Sequence, residues 1–299
     1  MIRQFKLTNA INQIVSLNDL NSFGHDPDGL GVSFSNSFYN TNANFIVDSS
    51  EVNQNHFKIN VAFGALNRKS YEGFNQFIQF LNFPPFTLTY VTNAGTFRRD
   101  CILNELTKKE LNDFNILDEE LTLDFTTPFY RYITGSNSKY LSSSGKSKVY
   151  ENVNLGNNEG FYTHKFAYGV NNTGRSGFFA INNQSVYLGS AVGSPFEITI
   201  YGEVENPSWE LYQGSQLIQS DGYFLNVPKD YKLVVSSFPQ QQRAQLVAPT
   251  GDTQNVYQYQ DLTKTNFITI PIGEYTLILK NMQDAKEVNW RMREERIVV

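Results

Sequence analysis

The chain has one cysteine, Cys101, so no internal disulfide can form, and a single free thiol suits a protein that folds in a reducing cytoplasm. Histidine is scarce too. His25, His56 and His164 are the only three, too few for most metal sites or catalytic triads. Long apolar runs are missing, since no stretch approaches the ~18–20 residues of a membrane span. The N-terminal MIRQFKLTNA lacks the apolar centre of a signal peptide. Synthesis in a bacterial cytoplasm is therefore expected, with any extracellular role following lysis. Positive charge is also in short supply. Residues 1–133 carry 10 Lys and Arg against 14 Asp and Glu, the remainder 14 against 15, for a net charge of −5. Without a basic stripe, nucleic acid is not expected as a bound partner. The pairs Arg98-Arg99 and Lys108-Lys109 read as solvated strand ends.

Enzyme signatures are absent as well. GxGxxG, GxxxxGK[ST], GxSxG and HExxH do not occur. The run Asp26-Pro27-Asp28-Gly29 beside His25 lacks the spacing and distal Glu of a calcium loop, and reads as a tight turn shaped by Pro27 and Gly29. His56 and His164 each stand alone. Cys101, with no histidine near it in sequence, reads as a small buried hydrophobe. The run Asp118-Glu119-Glu120 reads as a turn before a strand at Leu121–Phe125, because glycosidase chemistry needs two carboxylates across a cleft. No catalytic, cofactor or metal residue can be nominated, and no enzymatic activity is expected.

What the chain does have is aromatic and β-branched sequence. Phe and Tyr number 24 and 17, and aromatics reach 14%, which favours pleated, half-buried surfaces. From Phe196 onward, short runs (FEITIYGEV, SWELYQG, SQLIQS, YFLNV, YKLVVSSF, NFITI, YTLILK, EVNWRMREERIVV) alternate with turn signals. Those signals are Asn206-Pro207, Asp221-Gly222, Pro228-Lys229, Pro249-Thr250-Gly251 and Ile272-Gly273. This spacing predicts an antiparallel sandwich. Val288, Trp290 and Met292 alternate with Asn289, Arg291 and Arg293, which turns Trp290 inward; Trp209 is likewise assigned to a core.

The first half begins with a strand and a turn in residues 1–20, followed by strand patterns in VSFSNSFY, NFIVDSS and FKINVAFGA. The period then changes. Tyr71, Phe74, Phe77, Ile78 and Leu81 recur at helical spacing opposite Glu72, Asn75, Gln76 and Gln79. This predicts one helix over about 70–82, with Ser70 as N-cap and Pro84-Pro85 as the stop. Strands follow in PFTLTYVT, TFRRDCILNELT and ELTLDFTTPFY. The Ser/Gly/Lys tract after Tyr132 marks a boundary between a first domain, 1–133, and a second, 134–299. Residues 18–30 and 134–148 read as loops, the second as a linker or an arm. The fold class is mainly β: an N-terminal β-sandwich-like domain with one helix, then an antiparallel β-sandwich.

This order resembles the distal tail protein, the baseplate hub of siphophages infecting Gram-positive bacteria. The resemblance rests on Asp26-Pro27-Asp28-Gly29-Leu30-Gly31 before a strand, and on the block from the helix through PFTLTYVT to LTLDFTTPFYRY. It rests also on SPFEITIYGEVENPSWEL, NFITIPIGEYTLIL and EVNWRMREERIVV. The resemblance implies a structural virion protein at the tail tip, whose first domain closes a homo-hexameric ring, singly or as two stacked rings. That ring would link the major tail protein above to the tail-associated protein below, with DNA passing through the lumen unbound and no membrane contact. The second domain, galectin-like by the same resemblance, would project outward to receptor-binding or other baseplate proteins. No cofactor is implied. A different class of function is a carbohydrate-binding module recognising a host cell-wall saccharide, which needs an exposed aromatic platform such as Trp209 would offer.

Overall fold

A computed structural model describes residues 3–19, 21–42, 44–65, 67–137, 177–186, 193–239, 241–282 and 285–299. The chain divides into two compact units, Met1–Arg131 with Glu295–Val299, and Tyr132–Glu294.

In the first unit, β1 (Gln4–Thr8), β2 (Ile14–Ser16), β3 (Phe23–Asp28), β4 (Phe34–Thr41), β5 (Asn44–Val52) and β6 (His56–Phe63) precede helix α1 (Ser70–Leu81). After it come β7 (Phe86–Thr92), β8 (Gly95–Leu106), β9 (Leu117–Phe125) and β10 (Phe129–Asn137), the last running on into the second unit. Seven strands form an antiparallel sheet in the order β2-β1-β7-β8-β9-β6-β3. Its inward residues follow the two-residue period: Phe5 and Leu7; Phe57, Ile59, Val61 and Phe63; Leu117, Leu121, Leu123 and Phe125. Helix α1 packs Phe74, Phe77, Phe80 and Leu81 into the same core, and Phe63 meets Phe74 edge-on with ring centres 5.5 Å apart.

Several sequence expectations need correction here. Ser70 is not the N-cap: it is the first helical residue, its hydroxyl donates to the Asn115 carbonyl at 2.6 Å, and Lys69 precedes it. The buried face of the helix is also turned from the predicted one, since Phe80 is inside while Tyr71 and Ile78 are exposed. The period correctly announces a helix, but the sheet it meets chooses the face. Residues 23–28 are not a loop but β3, paired to β6 from Phe23↔Ala62 to Asp28↔Lys58 across a register shift. The reversal comes one residue later, at Gly29 (φ +84°), where a Cβ would lie 1.7 Å from the His56 carbonyl oxygen. Asp118, Glu119 and Glu120 are strand, not turn. Asp118 and Glu120 point outward while Glu119 points in and is fully buried.

In the second unit, β11 (Gly177–Asn183), β12 (Ser194–Tyr201), β13 (Val204–Glu205), β14 (Ser208–Gln213), β15 (Gln216–Gly222) and β16 (Asn226–Val227) come first. They are followed by β17 (Lys232–Ser236), β18 (Arg243–Val247), β19 (Thr253–Asn255), β20 (Thr269–Ile270), β21 (Gly273–Lys280) and β22 (Glu287–Arg296). One sheet runs β19-β18-β17-β12-β22 and the other β11-β21-β14-β15. Between them lies one core, with Ile198, Ile200, Leu233, Val235 and Val288 from the first sheet against Trp209, Leu211, Leu277 and Leu279 from the second. That is a β-sandwich.

The hairpin turn of β14–β15 is at Gly214 (φ +58°), and Asp221-Gly222 lies inside β15. The Asp-Gly pair misleads because the Asp221 carboxylate is buried, accepting the Gly222 and Phe267 backbone N–H groups at 2.8 and 2.9 Å. Strands β18 and β19 carry no period strong enough to have been read from sequence. Of the 134–148 tract, residues 134–137 are strand, and 138–148 and His164 lie outside the described residues.

Candidate interaction surface

The residues weighed for chemistry are mostly committed to structure. Cys101 is buried, and burial pushes its thiol up to about 12. His25 bridges two carboxylates, Nδ1 to Asp26 at 2.8 Å and Nε2 to Asp118 at 3.0 Å. Partial burial lowers its pKa, but the two carboxylates outweigh that and raise it above the ordinary value. His56 bonds Asp124, which also accepts Asn104 Nδ2 at 2.8 and 3.0 Å. Burial raises the Asp124 pKa, while the bonds from Asn104 and His56 prevail and lower it. Glu119 accepts the Lys109 N–H at 2.6 Å and the Thr107 hydroxyl at 2.8 Å, and so ties the β8–β9 loop down. Among the described residues, no three His, Cys, Asp or Glu side chains converge on a metal-sized site.

Arg99 departs from its expected place at a solvated strand end. It is buried, with its guanidinium 3.8 Å from the centre of the Phe125 ring and 4.9 Å from that of Phe129. Its Nε donates to the Thr127 carbonyl at 2.7 Å, and burial lowers its pKa to about 10. The aromatic rings replace water around the cation. Sequence could not show this, because Phe125 and Phe129 come from other segments.

Neither tryptophan offers a platform for a sugar. Trp209 is fully buried and stacks on Tyr223 with ring centres 6.1 Å apart; Trp290 is buried against Phe196 and Phe179. The second unit does have an open groove of about 430 Å³ beside Trp290, on the outer face of β12 and β22. Its central carboxylate, Glu197, is already held by Arg291 Nε at 2.8 Å and Arg243 at 3.0 Å.

The feature with no structural use inside its own unit is the β4–β5 hairpin. All eight residues of β4 are exposed, and all of β5 except the half-buried Val52. At about 3.3 Å per residue it is roughly 25 Å long. The half nearer the sheet is polar. Ser35 bonds Asn53, Ser50 bonds Asn36, and Ser37 bonds both Asp48 and Ser49, all at 2.6–3.1 Å. A register shift after Ser37 leaves Asp48 as an extra residue, and beyond it the character changes. Phe38, Tyr39, Phe45, Ile46 and Val47 are 53–70% exposed. Cross-strand partners share a face, so Phe38, Val47 and Phe45 occupy one side, with Tyr39 and Ile46 on the other. Phe38 and Phe45 meet edge-on at 6.5 Å. An isolated two-stranded hairpin is marginal in water, and a tip apolar on both faces is a surface built to be covered. Sequence analysis recognised both strands but not their exposure, because apolar alternation looks the same whether or not a core lies behind it.

Residues 4–126 match the model of the family described as distal tail protein, N-terminal domain. The first unit is a distal tail protein N-terminal domain. Over its full length the chain has the fold of a chain in the phage P2 baseplate, solved in its activated conformation with calcium, at TM-score 0.67, 16% identity and 100% coverage of each chain. The same baseplate solved with strontium gives TM-score 0.67 at 14% identity, again with 100% of each chain covered. The distal tail protein of phage SPP1, solved as a hub of the adsorption apparatus in phages infecting Gram-positive bacteria, matches at TM-score 0.53 and 10% identity, with 97% of this chain and 98% of that one covered. No curated protein matches the sequence. Beyond that domain the chain shares the fold of these baseplate and hub chains, mainly β with one α-helix among the described residues, as the sequence resemblance implied.

Proposed function

We propose that this distal tail protein is the structural hub of a siphophage tail tip, where six copies, or two stacked sixes, close a ring through the N-terminal domain. The ring joins the major tail protein on one side to the tail-associated protein on the other, and residues 134–299 present a docking platform to receptor-binding or other baseplate proteins. The observation that carries this reading is the agreement between the family match over residues 4–126 and the full-length fold shared with hub and baseplate chains. The excess of acidic over basic residues in positions 1–133 fits a ring around passing DNA, because like charges keep the lumen from trapping it. The protein acts through assembly and not through catalysis, and it is made in the host cytoplasm before lysis.

Light scattering after size exclusion, followed by negative-stain microscopy of the main peak, tests this. A particle near six or twelve subunits with a central hole is expected. A monomer at every concentration, with and without the neighbouring tail proteins, overturns the ring.

A further inference from the structure

We propose that the outward face just beyond β15, made by Phe224 and Tyr259, is a binding site for a neutral saccharide. The inference goes beyond the hub reading and stands on the second unit alone.

Backbone pairing builds the platform. Tyr223 and Gln260 are cross-strand partners, the Phe224 N–H donates to the Tyr259 carbonyl at 2.7 Å, and the Asp261 N–H donates to the Gly222 carbonyl at 2.9 Å. Partners share a face and successive residues alternate. Tyr223 and Gln260 therefore share the inner face, where Tyr223 stacks on Trp209 and Gln260 Nε2 donates to its hydroxyl at 3.0 Å. Phe224 and Tyr259 turn outward together, 63% and 39% exposed. The Tyr257 hydroxyl is spent on the Gln242 carbonyl at 3.0 Å, whereas that of Tyr259 has no partner among the described residues. This is the exposed aromatic platform that neither tryptophan supplies.

The rim points to the ligand. Asp261 follows Tyr259 on the same face, and its Oδ1 accepts the Thr263 N–H at 3.1 Å and the Thr263 hydroxyl at 2.6 Å, leaving Oδ2 as an acceptor. Lys264 lies over Gly222, where a Cβ would come 3.0 Å from Lys264 Cε. The missing side chain lets the lysine stem lie flat and brings its ammonium to the rim as a donor. One cation and one anion thus flank the rings. A sugar hydroxyl both donates and accepts and so suits such a rim, whereas a charged ligand would be repelled by one side of it. The negative faces of the rings attract the polarised C–H groups on the apolar side of a pyranose. Size agrees: the two rings expose roughly 200 Å². Even with Leu262 added, the patch stays well under the ~800 Å² that a stable protein partner covers.

The test applies the full-length protein to an array of neutral oligosaccharides of glucose, galactose, rhamnose and N-acetylglucosamine, with sialylated and uronic-acid glycans alongside. Retention of at least one neutral glycan is expected. Phe224→Ala and Tyr259→Ala should each weaken that binding by about tenfold. The melting temperature should not change, since neither ring joins the core cluster. Lys264→Met, which keeps the stem over Gly222 but removes the donor, should weaken binding by about threefold. Phe45→Ala in the first unit should change nothing. Retention of charged glycans only, of no glycan, or binding that survives both ring substitutions overturns the site. If a ring variant does not fold, Lys264→Met decides, and unchanged binding there overturns the site. Particle mass tests the ring separately, so either reading can fail without the other.

Discussion

Two hairpins of similar length behave in opposite ways. In β14–β15, SWELYQ and QLIQSDG turn at Gly214, β21 pairs the free edge of β14, and Trp209 and Leu211 are fully buried. In β4–β5, the larger apolar content of FSNSFYNT and NFIVDSSEV buries nothing of consequence, and β4 and β5 pair only with each other. A strand's apolar residues stabilise the fold only where a second layer faces them. Where no layer exists within the chain, they are available for another molecule.

Substitutions at matched positions should separate the two hairpins most sharply. Leu211→Ala removes a fully buried side chain and should cost about 2–5 kcal/mol in urea unfolding. Phe45→Ala should stay within about 0.5 kcal/mol, because nothing packs on that ring from a core. Equal losses at the two sites would break the comparison.

Asp221, inside the well-packed hairpin, adds a pH signature. Burial raises its carboxyl to about 7 despite the two N–H bonds that favour the charged form. The folded protein therefore holds a proton that the unfolded chain has already lost between about pH 4 and pH 7. Stability from this group is greatest below pH 4, falls through that window and levels off above it. Thermal melts of Asp221→Asn against the unsubstituted protein should show this slope removed; the same slope in both would rule out Asp221 as its source.

Glu119 tests the reverse mismatch, a charge facing inward. Glu119→Ala should cost about 1–3 kcal/mol by leaving the Lys109 N–H and the Thr107 hydroxyl without their acceptor. Hydrogen exchange should quicken first in residues 107–110. Unchanged protection there would mean that the bond does not anchor the loop.

The smallest effect is at His25. Its folded pKa is raised, so its stabilising contribution is complete below the unfolded value near 6.5 and is lost as pH rises through the folded one. A proton titration followed by NMR should place the imidazole above 6.5, and Asp118→Asn should bring it down. A His25 pKa indifferent to Asp118 would mean that the 3.0 Å contact is not formed in solution.

The strands now numbered β4, β5, β6, β12, β14, β17 and β21, and the helix, were legible because a two-residue or 3.6-residue period is a local property of the chain. The inward placing of Val288, Trp290 and Met292 was legible for the same reason. The acidic run at 118–120 was misread because its charges hid an alternation that the surrounding Leu117 and Leu121 share. The Asp221-Gly222 turn was misread because a buried acceptor for distant N–H groups looks, in sequence, like a turn residue. Arg99 was misread because its aromatic cage comes from other segments. The hairpin was the hardest case. Its strands were seen, but that they face no core depends on where every other strand goes.

By itself, then, the sequence determined most of the element types, the scarcity of cysteine and histidine, the acidic balance and the order of strand and helix patterns. Each of these follows from the spacing of residues along the chain. Only the tertiary structure decided which face of α1 is buried, that Arg99 is enclosed by Phe125 and Phe129, and that the β4–β5 tip is left uncovered. Burial is a relation between segments far apart in sequence, and it exists only once they have met.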